Sequence, residues 1–337
     1  MTKDLTTSRP LNGKPFRIDG GLFTPRSRAR GCFLTFHRVA TSAVWPSLPN
    51  RNFYIDIDFL DRLLTYLRRR NWKVVTVDEA LELTRNPKAD TRFVNFSIDD
   101  GYRDNYDLLV PLFRRHEVPI TLYLTTGLID RMMPMWWAGL EDTLLRRDSV
   151  VVDGREIDLS TAEAKRQAYS RIESVWSDAD SIACYRAFCD QNRVDDDAIY
   201  SRHALSWEMV ERLRNDPFVE IASHGAMHLR FSSLSDSEAF DALESGRRRL
   251  MEKLDIDIRH FAFPYGRSTD CGPRDFELAR RVGFASAATS RKGLIRYGQD
   301  PFQLPRNTLN GGHKNVALVE LHLAGITGVV ARMLGRV

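Results

Sequence analysis

Apolar and polar positions alternate along this chain with two different periods, and the switches between them mark its elements. Short apolar runs occur at "CFLTF" (32–36), "RFVNFSI" (92–98), "PITLYLTT" (119–126), "FVEIAS" (218–223), "HFAFPY" (260–265) and "FASAATS" (284–290). Runs this short, rich in Phe, Val, Ile and Thr and bounded by polar turns, predict buried strands. Between them apolar residues recur at steps of three and four, the period of a helix with one buried face. "DFLDRLLTYLRRR" (58–70) reads as such a helix with Asp58 as its cap, and "NYDLLVPLFRRH" (105–116) as another. Ser235 and Glu238 form a capping box ahead of a helix carrying Phe240, Leu243, Leu250 and Leu254. Pro273 and Gly283 bracket a further helix.

Strands alternating with helices predict an α/β fold on a parallel sheet, open or closed into a barrel. Residues 131–205 break the rhythm: they carry "MWWAGLEDTLLRR", a polar turn at "VDGRE" and a helical pattern from Ser160 to about Cys189. Only "SVVVDG" reads there as a short hairpin arm, so this stretch is expected to be a mostly helical insertion over one face of the sheet. Near the end, Val316, Val319, Leu323, Ile326, Val330 and Met333 predict a single one-faced helix over about 315–335. Residues 1–30, polar, Arg-rich and weakly periodic, read as a loosely ordered extension to a domain over 31–337.

Composition narrows the class. A chain of 337 residues, 43% hydrophobic and 28% charged, suits a globular α/β domain with an insertion. A net charge of +4 falls short of the one-faced basicity of a nucleic-acid binder, so no nucleic acid is expected as partner. The four cysteines form no CxxC pair, which points to reduced thiols. "MTKDLTTSRPLNGKPFRIDGG" has no apolar core of a secretory signal, and the apolar C-terminal stretch carries Glu320, His322 and Arg332, which a membrane-spanning helix rarely holds. A soluble cytoplasmic protein is the expectation, with peripheral membrane contact through that stretch as the alternative.

The chemistry gathers at strand ends. "FVNFSIDDGY" leaves a strand on two adjacent aspartates, Asp99 and Asp100, although like charges repel and neither is cheap to desolvate. "IASHGAMH" ends another strand on His224, with His228 four residues on, a spacing that lets two imidazoles converge on one ion. Each signal alone also fits a solvated loop, because turns favour Asp and Gly for local reasons. "FAFPYG" closes a strand on Pro264 and Tyr265, and "FLTFHRV" ends one on His37.

In this order, "FSIDDGY", "IASHGAMH", "FAFPYG" and "LPRNTL" resemble the polysaccharide deacetylases of carbohydrate esterase family 4, the NodB homology domain, over roughly residues 31 to 310. The resemblance implies an irregular (β/α)7-type barrel and metal-dependent hydrolysis of an N-acetyl group, usually on an N-acetylglucosamine unit. It implies that Asp99 is the base, that Asp100, His224 and His228 hold the metal, and that the backbone N–H of Tyr265 stabilises the oxyanion. One carboxylate would then neutralise the ion while its neighbour takes a proton, which accounts for their adjacency.

Three departures from the family pattern stand out. Gly225 replaces the usual Ser or Thr, Ala262 stands where an arginine usually orients the base, and no C-terminal LxH strand supplies the acid. His322 lies on a helical stripe and reads as structural. In the permuted branch that resembles poly-N-acetylglucosamine deacetylases the acid sits on an N-terminal strand, which makes His37 the match. Arg306 of "LPRNTL" is the candidate replacement for the absent arginine.

The sequence therefore predicts a divalent-metal N-deacetylase acting on an N-acetylated glycan or glycan precursor. Zinc is the first choice for the ion, with cobalt or nickel as alternatives. The rival readings are a hydrolase of a non-glycan amide or cyclic imide, and a retired glycan-binding module that the missing arginine would favour. Trp136 and Trp137 either stack on sugar or anchor the insertion. No oligomeric state follows from the sequence.

Overall fold

The structure is a computed structural model that describes residues 29–86, 90–176 and 181–334. The extension expected over 1–30 lies outside these residues except for its last two, which already belong to the first strand. The main strands are β1 (Ala29–Phe36), β2 (Phe93–Asp100), β3 (Ile120–Leu124), β4 (Val219–Ser223), β5 (His260–Ala262), β6 (Ser286–Ala288) and β7 (Asn307–Thr308). They run parallel in the order β6-β5-β4-β3-β2-β1, and β7 pairs in parallel with β1.

The segment between β6 and β7 curls the sheet round on itself. The N–H groups of Ala287 and Thr289 donate to the carbonyls of Pro301 and Leu304 at 2.9 Å, and Leu309 N–H donates to Thr35 O at 2.8 Å. The result is the expected irregular (β/α) barrel. Alternation on each strand divides its residues between two cores. Val94, Phe96 and Ile98 of β2 face the helices outside. Phe33, Phe93, Tyr123, Ala222, Ala262 and Ala288 fill the interior, where three alanines leave room for the larger rings.

Local signals set most helix ends. The capping box of Ser235 and Glu238 opens the helix Asp236–Leu254, and Gly283, at φ +95°, ends the helix Pro273–Val282. The first long helix, Ile57–Arg69, is capped by Asp56 and not by Asp58: the Asp56 carboxylate accepts from Asp58 N–H at 2.9 Å. Asp56 ends a short strand in extended backbone, as a cap requires, whereas Asp58 already lies in the first turn. The helix expected over 105–116 starts as a π turn, Asn105–Leu109, before Val110–His116.

Between β3 and β4 lie the helices Trp136–Arg146, Ala162–Trp176, Ser181–Asn192 and Asp196–His203, with a hairpin of Ser149–Val152 and Arg155–Asp158. The helical pattern from Ser160 to about Cys189 forms two helices where the periodicity suggested one. Trp176 packs on Tyr185 and Phe188, ring centroids 6.4 and 5.5 Å away, so the two fold onto each other around a small core of their own. The single C-terminal helix expected over 315–335 is likewise two, Val316–Leu323 and Ile326–Met333, bent by 71°. Gly325, at φ +75°, sits at the break, and a left-handed residue ends a helix whatever the periodicity around it. Among the described residues no single helix is long and apolar enough to cross a membrane.

Candidate metal and acid–base site

Sheet register brings the sequence candidates to one rim. Phe36 pairs with Ile98, Asp100 with Leu124, Leu124 with Ser223, and Ser223 with Phe261. His37, Asp99, Asp100 and His224 therefore all emerge at the C-terminal ends of parallel strands, where barrels of this kind carry their chemistry. Asp100 adopts φ +79° and Gly101 φ +101°, so the strand stops in two consecutive left-handed residues. An aspartate in that region is uncommon and marks a constrained position.

Asp100 Oδ1 lies 3.6 Å from His224 Nε2 and 3.4 Å from His228 Nε2. These separations exceed a normal N–H···O hydrogen bond. They match the edges of a tetrahedron, because ligands held at about 2.0–2.2 Å from one ion stand roughly 3.3–3.6 Å apart. Oδ1 is buried and has no hydrogen-bond partner among the described residues. His224 Nδ1 donates to the carbonyl of Ala262 at 2.7 Å, which leaves Nε2 as the lone-pair nitrogen facing Asp100. Burial pushes His224 down to about 3 and His228 down to about 4, so both rings are neutral at pH 7. Burial, reinforced by Asp99, pushes the Asp100 carboxyl up to about 6. Two neutral imidazoles and a carboxylate short of a partner suit a divalent cation.

Asp99 has the opposite surroundings. Arg306 donates from Nη1 and Nη2 to Asp99 Oδ1 and Oδ2 at 2.6 and 2.8 Å. The same guanidinium donates to Thr289 O, Thr35 Oγ1 and Ser97 Oγ, each at 3.2 Å, and it is 1% exposed. Burial alone would raise Asp99, but Arg306, with His224 and His37, outweighs it and holds the carboxyl at about 2. A guanidinium therefore reaches Asp99 from the segment that closes the barrel, although Ala262 supplies none.

His37 is half-buried, its ring stacked on Phe53 with centroids 4.8 Å apart, and it lies near both Asp99 and Asp100. Tyr265 has φ +60° and an exposed ring beside His228, centroids 4.9 Å apart. Its backbone N–H has no acceptor among the described residues. His322 lies apart from this group and bonds His313 at 3.1 Å and Thr327 at 2.9 Å.

Gly225 has a backbone reason for its identity. It adopts φ +80°, and the helix Asp236–Leu254 passes so close that a Cβ on Gly246 would meet Gly225 C at 2.6 Å. Of the layer beneath the rim, sequence reasoning offered the anchoring role of Trp136 and Trp137 and missed Tyr102 and Asn105. Trp137 Nε1 donates to the buried Tyr102 hydroxyl at 2.7 Å, and Tyr102 N–H donates to Asn105 Oδ1 at 3.1 Å. Trp137 therefore pins the helix Trp136–Arg146 to the Asp99–Tyr102 turn, and Trp136 packs on Trp137 and Trp176. The signal was present in "DDGYRDNY", where Tyr102 follows the turn and Asn105 stands three residues further on.

The polysaccharide deacetylase family profile matches residues 86–284. Several solved structures share the fold. The deacetylase PplD of Streptococcus pyogenes, solved with acetate, is 13% identical over 86% of this chain and 96% of its own, with a TM-score of 0.58. IcaB from Ammonifex degensii is 18% identical over 83% and 92%, with a TM-score of 0.55. The de-N-acetylase from Aggregatibacter actinomycetemcomitans is 13% identical over 87% and 100%, with a TM-score of 0.57. At such identities the likeness is one of fold. No curated protein matches the sequence. Because the family profile spans more than half of the chain, and its strands close into the barrel those structures share, this chain belongs to the polysaccharide deacetylase family, hydrolases of carbon–nitrogen bonds other than peptide bonds.

Proposed function

We propose that this protein is a metal-dependent N-deacetylase that removes acetyl groups from amino sugars of a glycan or glycan precursor. One observation carries the reading: a buried, unpartnered Asp100 Oδ1 stands at ion-sharing distance from two neutral histidines, beside a carboxylate held ionised by Arg306. Asp100, His224 and His228 would hold the ion, zinc by this donor set with cobalt or nickel as alternatives. When bound, it polarises the acetyl carbonyl and makes water more acidic.

The chain's own groups do the rest. Asp99 accepts a proton from the attacking water, and the Arg306 fork fixes both of its oxygens. The free N–H of Tyr265 donates to the acetyl oxygen as negative charge develops there. His37 returns a proton to the amide nitrogen as the C–N bond breaks, so acetate and a free amine leave. The retired-module alternative rested on the arginine missing at Ala262, and Arg306 supplies that guanidinium.

The test is acetate release from N-acetylated glucosamine oligomers of graded length and from a cyclic imide. Protein stripped by chelator and then reloaded with zinc, cobalt or nickel would be compared. Release from the sugars, lost on stripping and restored by metal, is expected. Turnover by metal-free protein, or of the imide alone, overturns the proposal.

A further inference from the structure

The inner face of the barrel is polar at both ends, and only the upper end belongs to the site above. Alternation along β4 puts Glu220, Ala222 and His224 on one face. His224 reaches the catalytic rim, while Glu220 lies four residues earlier, about 13 Å down the strand. His260 opens β5 at that lower end, and Asp78 joins it from the first turn of the helix Val77–Arg85. The three offer ligand atoms that all lie within 4.8 Å of one another.

His260 is 2% exposed. Its Nδ1 hydrogen-bonds Ser286 Oγ at 2.9 Å, while its Nε2 is buried and has no hydrogen-bond partner among the described residues. Nε2 faces Asp78 Oδ1 at 3.4 Å and Glu220 Oε1 at 3.5 Å. Both distances are long for an N–H···O bond, lie within ion-pair range of the two carboxylates, and match two edges of a metal tetrahedron, so an ion there would take the place of the ring's proton. They nearly repeat the 3.4 and 3.6 Å of the catalytic triad.

The outer partners also fit. Glu220 Oε2 accepts from Thr121 Oγ1 at 2.6 Å and from Val77 N–H at 3.0 Å, which leaves Oε1 turned toward His260. Ligating carboxylates and imidazoles are held in this way by a second set of hydrogen bonds. Asp78 also pairs with Arg259, Nε to Oδ2 at 3.1 Å and Nη2 to Oδ1 at 3.2 Å. The Arg259 side chain is 52% exposed, so an ion can displace that contact at small cost. Asp78, itself 44% exposed, gives the ion a way in.

We propose that Asp78, Glu220 and His260 form a second, structural zinc site at the end of the barrel opposite the catalytic rim. Water completes the coordination, and the ion ties the helix Val77–Arg85 to the starts of β4 and β5.

Zinc per chain, measured by plasma mass spectrometry on the full chain after stripping and equilibration in a zinc buffer, tests this. Wild type should hold two ions, His228→Ala one, and His260→Gln one with acetate release retained. The zinc-dependent rise in Tm should persist in His228→Ala and vanish when Asp78→Asn is added. If His260→Gln does not fold, Asp78→Asn, at a half-exposed position, gives the same readout and should also lose one zinc. An unchanged count in Asp78→Asn, or a single wild-type ion that His228→Ala removes, overturns the proposal. Should Asp78→Asn lose a zinc while His228→Ala loses none, the rim reading fails and this one stands.

Discussion

Asp99 and Asp100 are neighbours in the chain and equally buried, yet their carboxyls move in opposite directions, to about 2 and about 6. The difference lies in what faces each one. A forked guanidinium stabilises the charge on Asp99, while Asp100 meets two neutral imidazoles. Arg306→Lys keeps a positive charge but loses the fork. Burial then regains ground and the Asp99 carboxyl rises, so a base that must be ionised fails at a higher pH. The acid limb of the kcat/KM profile should move upward, with turnover reduced about ten- to hundredfold, as for other residues that orient reacting groups. An unmoved limb would separate Asp99 from the base role. His37→Ala should keep its metal and slow acetate release about 10²–10⁴-fold, most for the most basic leaving amines. Equal slowing across a series of amines would assign the acid elsewhere.

At the scale of elements, the loop His224–His228 owes its path to the helix Asp236–Leu254, which packs against its backbone. A Cβ on Gly246 would meet Gly225 C at 2.6 Å, Gly225 Cα at 2.8 Å and Ala226 N at 2.9 Å. All three are backbone atoms, so no side chain can swing aside. Gly246→Ala should cost about 1–3 kcal/mol and shift the loop, weakening zinc binding at the rim. Thermal melts and a zinc titration check both effects. Gly272→Ala, with nothing within 4 Å of its added Cβ, should change neither. The elements also show how far local rules reach. Ser235 with Glu238 and Pro273 with Gly283 were legible because capping is a matter of three or four adjacent residues. Asp58 was misread for Asp56 because two aspartates in "DIDF" both satisfy the cap pattern, and the end of the preceding strand decides between them.

For the whole molecule, the contact that matters is the one between the barrel and the helices of 131–205. Asp142, buried on the helix Trp136–Arg146, accepts from Arg202 at 2.8 Å, from His203 at 2.9 Å and from Arg146 at 3.0 Å. Arg38, beside His37, donates to Asp104 at 2.8 Å and pairs with His203 at 3.1 Å, so this knot reaches the rim that carries His37. Burial would raise Asp142, but His203, Arg202 and Arg146 outweigh it and hold its carboxyl well below its ordinary 3.8. A carboxyl depressed in the folded state adds stability that is fully present above its unfolded value and disappears as pH falls below it. Urea midpoints should therefore be insensitive to this group between about pH 5 and 8 and fall in stronger acid. Asp142→Asn should cost about 2 kcal/mol at pH 7 and flatten that acid loss. A variant that keeps the full acid slope would place the titration elsewhere.

What the sequence determined by itself is local. Short apolar runs specified the strands, the turn after Asp100 and the His224–His228 spacing specified the metal candidates, and the order of four short motifs carried the family. Each depends on residues within a turn or two of one another. What the tertiary structure decided depends on barrel closure, which no local window contains. Arg306 reaches Asp99 across 207 positions only because the segment before β7 seals β6 against β1. His37 takes its place on the rim because β1 lies beside β2 in one register. Asp78, Glu220 and His260 look unrelated in the chain and meet only at the far end of the closed barrel. Register and closure are settled by the packing of all strands together, so partners of this kind become visible only in the folded molecule.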